Sequence, residues 1–305
     1  MPSPVARRLL AALLATGLLL TGCASDDAPA ADEGPTTSTT VEAGIDGLTA
    51  EGVAGTTDDP DLLEALSVYQ PYVEQQAGTV ATDVTRFTDA VRAGDIELAK
   101  ELYPASRQAF IRIEPLVPLI ADVADVVEAE PAAGAAPTDD PGITGWHQLE
   151  WDLWVAEDVS GSKATADQLD AEVAKLSAAV ADFTVTPRAM VQAVALLMDR
   201  AADDAATGAA ERYSRTDMWD LAARVDAANA ARQMFRGAVG DADPDLAARI
   251  DDRSEQAIEA IKPYRTAEGW TAYDEVTADE RTDLAASLRS FAEALAEVPQ
   301  VLGLS

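Results

Sequence analysis

The single histidine of this 305-residue chain, His147, stands in GITGWHQLEW (142–151). Glu150 follows three positions later, and Trp146, Trp151 and Trp154 surround the pair. With 145–158 as a helix, His147 and Glu150 share one face, because residues three apart are neighbours on a helix surface. An imidazole beside a carboxylate can ligate a cation. Equally, the two groups can bond each other, for roughly 0.2–0.5 kcal/mol at an exposed helix surface. H-x-x-E on its own is common enough in helices to leave both readings open.

Residue counts narrow the chemistry. A zinc peptidase of the H-E-x-x-H kind needs two imidazoles one turn apart, and the chain has no second histidine. Paired di-iron sites take E-x-x-H from two helices; here the motif occurs once and in reverse order. Blue copper requires a cysteine and two histidines. A Ser–His–Asp triad finds no nucleophile context. What remains is a site of one nitrogen and several oxygens, suited to iron, manganese or calcium, and to zinc with lower selectivity.

The elements that must position such a site are helices. Apolar residues recur at three and four, as in Leu169, Val173, Leu176, Val180 and Phe183 of 165–183, with charges on the opposite face. Thr186 and Pro187 open a helix over 186–206. Further helices are expected over 215–240, with Thr216 as cap and Gly240 as stop, and over 243–265 and 277–298. Earlier, 61–93 reads as helix with a kink or restart at Pro71. A second helix runs from Ile96 to about Glu114 and contains Pro104; a third holds 145–158. By composition 129–142 is a loop. About eight helices with short connections imply an all-α chain of two antiparallel four-helix bundles, 59–184 and 185–305.

The beginning of the chain reads as an export signal. Arg7 and Arg8 precede the apolar run 9–20, which is too short for a membrane span. Residues 20–23, LTGC, have the form of a bacterial lipobox, so cleavage of 1–22 and acylation of Cys23 are expected. Cys23 is the only cysteine, which leaves no thiolate ligand or disulfide for the folded part. Residues 23–58, rich in Asp, Pro, Gly, Ser and Thr, read as a lipidated, flexible tether. The net charge of −32 repels phosphate backbones and excludes nucleic acid as a natural partner, while attracting cations.

Several separated blocks then align with one family. YVEQQ (72–76), AVRAGDIELAKELY (90–103), RIEP (112–115), GWHQLEWDLW (145–154), ERYSRTDMWDLAARVDAA (211–228) and the ending 273–304 occur in that order. Together they resemble the imelysin-like proteins, in particular the EfeO/EfeM-type components of the bacterial Efe iron-uptake system. The resemblance covers about 60–304 and implies two antiparallel four-helix bundles.

Position by position, the resemblance implies metal ligation by His147 and Glu150 of the H-x-x-E pair, Glu114 of RIEP, Glu128 and Glu211, with Asp217 as a weaker candidate. Where the family usually has a second acid three residues before Glu114, this chain has Ile111, which removes one oxygen ligand. Some members carry an N-terminal cupredoxin domain. Here only the polar tether precedes the helices, so the short form without copper binding is expected.

The function so implied is capture of iron, as Fe3+ or Fe2+, by a monomeric lipoprotein anchored outside the cytoplasmic membrane. Delivery to an Efe-type permease, alongside a haem peroxidase component, follows from the same resemblance. Zinc, manganese or calcium are alternative ions. The competing functions are a metal-dependent peptidase, suggested by an older label of the family, and metal-bridged binding of acidic polysaccharide.

Overall fold

The computed structural model of the protein describes residues 48–130, 137 and 143–304, all within one packed unit. The export signal, Cys23, the tether up to residue 47 and most of the 129–142 loop lie outside the described residues. Among those described, helix is nearly the whole structure, with one isolated bridge between Arg265 and Trp270. No described helix is long and apolar enough to cross a membrane.

The long first helix, α1 (Pro60–Ala93), starts where Asp59 accepts the backbone N–H groups of Asp61 and Leu62. It buries Leu62, Ala65, Tyr69, Val73, Ala77, Val80, Val84, Phe87 and Val91. This spacing of three and four makes one apolar stripe, and each fully buried large side chain contributes roughly 1.5–3 kcal/mol. Pro71 does not restart the helix: α1 runs through it, and its ring lies on the exposed side. Gly94, at φ 73°, ends the helix in the left-handed region that suits glycine. A turn at Gly94 and Asp95 leads into α2 (Ile96–Ile111), which ends earlier than Glu114.

Between 114 and 156 the chain advances in short pieces: a 3-10 turn Glu114–Leu116, α3 (Val117–Ile120), α4 (Ala124–Val127), and α5 (Gly145–Trp151) running into a π-turn Asp152–Ala156. Then α6 (Lys163–Ala179) packs on α1, while α3, α4 and α5 pack on α6. The first bundle therefore has three long helices and a broken fourth member. Prolines 115 and 118 account for part of the break, since each lacks a backbone donor.

The second bundle is regular. α7 (Pro187–Thr207), α8 (Asp217–Ala242), α9 (Pro244–Ile261) and α10 (Ala278–Ala296) pack in a ring, α7 on α8, α8 on α9, α9 on α10 and α10 on α7. A last turn, α11 (Val298–Val301), closes on α7. α8 also packs on α1 and α2, which joins the two bundles.

Further details differ from the sequence expectation. α8 continues through Gly240 to Ala242, because the effective stop is Asp243 before Pro244, a position that disfavours the helical region. Asp243 then caps α9 by accepting the Leu246 N–H at 2.9 Å. Thr216 precedes α8 without making a side-chain cap bond; its hydroxyl lies 2.9 Å from that of Ser214. Val53, inside the stretch read as tether, is buried, and its carbonyl accepts the Thr186 hydroxyl at 2.6 Å.

Candidate metal centre

The position of α5 depends on Gly145. Its φ is +66°, and a Cβ there would sit 2.2 Å from the Val127 carbonyl oxygen and 2.6 Å from that of Val126. Only glycine permits this approach of α5 to the end of α4. From that start the helix turns Trp146, His147, Leu149 and Glu150 inward. Trp146 is locked by its Nε1 donating to Ser106 Oγ at 3.0 Å and by an edge contact with Phe110. Trp151 meets Tyr213, and Trp154 meets Tyr103, each edge to face.

His147, Glu150 and Glu211 converge there: one ligand atom from each lies within 4.8 Å of the other two. The first two come from α5, and Glu211 comes from the turn between α7 and α8. That turn also supplies the donors that orient Glu150. Its Oε1 accepts the backbone N–H groups of Tyr213 (2.9 Å) and Ser214 (2.7 Å) and the Ser214 hydroxyl (2.8 Å). Its Oε2 makes no hydrogen bond and faces His147 Nδ1 at 3.6 Å. The Ser214 hydroxyl is also 3.4 Å from Glu211 Oε2.

Arg107 of α2 lies behind these acids and is almost wholly buried. Its guanidinium is shared among Glu128 (3.0 and 3.1 Å), Asp220 (3.1 Å) and Glu211 Oε1 (2.8 Å). The last is an ion pair out of line for a hydrogen bond, so Glu211 Oε1 keeps unused accepting capacity. The guanidinium also sits over the Trp146 ring. Sequence reading did not single out Arg107, Ser214 or Asp220 as site residues. Ser214 and Asp220 lie in the block 211–228, but only tertiary packing brings them to Glu150 and Arg107.

On its other edge, His147 Nε2 lies 3.7 Å from Glu128 and 3.8 Å from Glu130. Exposure falls along this path, from 55% for the Glu130 side chain through 20% for Glu128 to 3% for His147 and 0% for Glu150. The imidazole thus links an outer pair of acids to an inner pair.

The charges respond accordingly. Burial alone would lower the His147 pKa, but the contacts with Glu128 and Glu150 outweigh it and push it up to about 10. Burial opposes ionisation of Glu128, yet Arg107 and His147 prevail and bring its pKa down to about 2. Glu150 is lowered despite its burial, by His147 and the donors of Ser214. Glu211 is held well above the ordinary range, by burial foremost and by its acidic neighbours Glu150 and Asp220. His147 is therefore held protonated between the ionised carboxylates of Glu128 and Glu150, while the Glu211 carboxyl resists ionisation.

The remaining candidates are placed differently. Glu128 stands at the outer edge of His147, paired with Arg107. Glu114 does not join the triad; its two oxygens pair with Arg200 and Arg224, and Arg224 also pairs with Asp204. Asp217 is buried, and its Oδ1 accepts the Glu211 N–H at 3.2 Å while Oδ2 has no partner. Burial pushes its pKa up to about 6. Ile111 is wholly buried, so the position contributes packing and no oxygen.

The imelysin (peptidase M75) family profile matches residues 65–298. Iron uptake system component EfeO of Escherichia coli O157:H7 is 34% identical over 240 residues, which are 79% of this chain and 64% of that protein. EfeO of Escherichia coli K12 and of Shigella flexneri are each 33% identical over the same shares. The chain thus spans a little under two thirds of the length of these relatives. With the profile covering most of its length and H-x-x-E placed in a buried acidic cluster, the chain belongs to the imelysin family and is similar within it to EfeO.

Proposed function

We propose that this protein is an iron-capturing component of an iron uptake system, tethered outside the cytoplasmic membrane through acylated Cys23 and delivering its cargo to an Efe-type permease. The observation that carries the reading is the convergence of His147, Glu150 and Glu211 with Glu150 Oε2 and Glu211 Oε1 buried and without hydrogen-bond partners. Buried polar atoms are ordinarily paired, and a cation satisfies several such acceptors at once. One nitrogen with carboxylate oxygens suits iron and disfavours soft ions. Iron enters from the Glu130 side, where the acids are exposed, and displaces the proton from His147. The names of the relatives, components of an iron uptake system, support the same reading.

Burial favours binding over peptidase chemistry. A metallopeptidase presents its metal to a polypeptide and keeps one coordination position open, whereas the three converging residues here are at most 3% exposed. Glu150, the residue a peptidase would use as base, has one oxygen committed to three donors.

The test is growth under iron limitation of the source bacterium lacking this gene, restored by plasmid-borne wild type, Cys23→Ala or His147→Ala. Wild type restores growth and His147→Ala does not. Equal rescue by wild type and His147→Ala, with both proteins present at equal level, contradicts the role of the site.

A further inference from the structure

The outer face of His147 is the part of the centre that the inner triad leaves unused. Glu130 follows the end of α4, and its side chain is 55% exposed. Its Oε1 nevertheless lies 3.8 Å from Nε2 of the imidazole, and Glu128 Oε2 lies 3.7 Å from the same nitrogen. Among the described residues Glu130 pairs with no arginine or lysine. Stability gives it little reason to face inward, because a half-exposed ion pair contributes only about 0–1 kcal/mol.

The two ring nitrogens are served alike. Nδ1 faces the inner Glu150 Oε2 at 3.6 Å, and Nε2 faces the outer acids at 3.7 and 3.8 Å. A neutral imidazole has one nitrogen that donates and one that accepts. It can give a lone pair to an ion on one side only, and its N–H then points the other way. A ligating histidine ordinarily donates that N–H to a carboxylate or carbonyl. Here a carboxylate waits on whichever side the N–H points. An outer and an inner ion position therefore share one ligand and use it in turn.

We propose that the ion is captured in two steps, first by Glu130, Glu128 and His147 Nε2 at the half-exposed mouth and then by His147 Nδ1, Glu150 and Glu211 inside, with Glu130 serving the first step alone. This rests on the metal-binding reading above and adds an entry position to it. At the mouth the ion keeps part of its water shell, and one proton leaves the imidazolium for bulk water. On passage inward the ion exchanges further water for the inner carboxylates. The ring N–H is lost at Nδ1 and regained at Nε2 through solvent, so this step exchanges no net proton, and neither step transfers an electron. Staged exchange avoids stripping the ion of water at once, which costs several kcal/mol for a buried charge. Arg107 bonds both oxygens of Glu128 and holds that acid in place as the ion passes.

The experiment mixes the metal-free full chain with ferrous sulfate under nitrogen and, separately, with ferric citrate. Stopped-flow tryptophan fluorescence gives the association rate, chelator chase gives the dissociation rate, and equilibrium dialysis gives the affinity. Wild type is compared with Glu130→Gln and with Asp125→Asn, which removes the same charge from an exposed position on α4. The expected result is association and dissociation both slower by about tenfold in Glu130→Gln, within the range over which local charge alters on-rates, at an affinity equal to that of Asp125→Asn. Association as fast as in Asp125→Asn overturns the entry position and leaves the triad standing. Weaker binding through faster release also overturns it, since Glu130 would then hold the ion in its final place. A wild type that binds iron in neither form overturns the metal-binding reading and the entry position with it. Thermal melts of the metal-free proteins accompany the kinetics, and the half-exposed Glu130 side chain leaves the core of the variant intact.

Discussion

The Ser214 backbone N–H lies 2.7 Å from Glu150 Oε1, which ties the helix of the H-x-x-E pair to the turn that carries Glu211. Residues 64 positions apart in the chain are thereby fixed to one another at the centre of the site. One carboxylate oxygen is spent on orientation, and the other is left facing His147. The proposed metal-binding role needs this division of labour within a single side chain, since a ligand must be oriented and keep a free oxygen.

Ser214→Ala removes the hydroxyl, 2.8 Å from the same oxygen, and retains the backbone donors. Iron affinity is expected to fall about tenfold, the lower range for loss of an outer-sphere partner. Stability should change by only about 1 kcal/mol, the usual worth of one hydrogen bond. Competition against a chelator of known affinity, with thermal melts on the same samples, measures both. A loss of stability larger than the loss of affinity would make Ser214 a folding residue.

Proton release follows from His147. Its folded pKa, about 10, exceeds the ordinary 6.5, so in the metal-free protein it contributes stability that is complete below pH 6.5. That contribution is lost as pH rises through 10. At pH 7.5 the imidazole is protonated, and a metal must displace that proton. Calorimetric titration in two buffers of different ionisation enthalpy should show release of at least about one proton per metal bound. Metal-free protein should melt progressively lower between pH 7 and 10, and metal-loaded protein should lose less. Binding without proton release would mean that His147 is not displaced.

Arg107→Met leaves Glu128, Glu211 and Asp220 without their shared cation. Breaking a buried pair by removing one partner costs about 3–5 kcal/mol, so the variant should melt well below wild type. A bound cation would restore part of the loss, because it supplies positive charge beside Glu211. Melting curves of the variant with and without metal test this; a variant as stable as wild type without metal would show that the acids are satisfied by other means.

The helices were legible because apolar spacing and caps are local. Thr186 and Pro187 do open α7, with the Thr186 hydroxyl accepting the Ala189 N–H. The pair His147–Glu150 was legible for the same reason. The acids' partners were not, since an ion pair is chosen by tertiary packing. Glu211 meets Arg107, more than a hundred positions earlier in the chain. Glu114 meets Arg200 and Arg224 across 86 and 110 positions. Nothing in the sequence marks the first residue of the expected 145–158 helix as needing glycine; the need appears only in the fold, where the Val127 carbonyl oxygen would lie 2.2 Å from a Cβ on Gly145.

The most direct measurement is an equilibrium iron titration of the purified protein, wild type against His147→Ala, with bound iron determined per chain. The account predicts one iron per wild-type chain and an affinity lower by tenfold or more in His147→Ala, of the order seen when metal sites lose a supporting group. Equal affinity in the two proteins would contradict it.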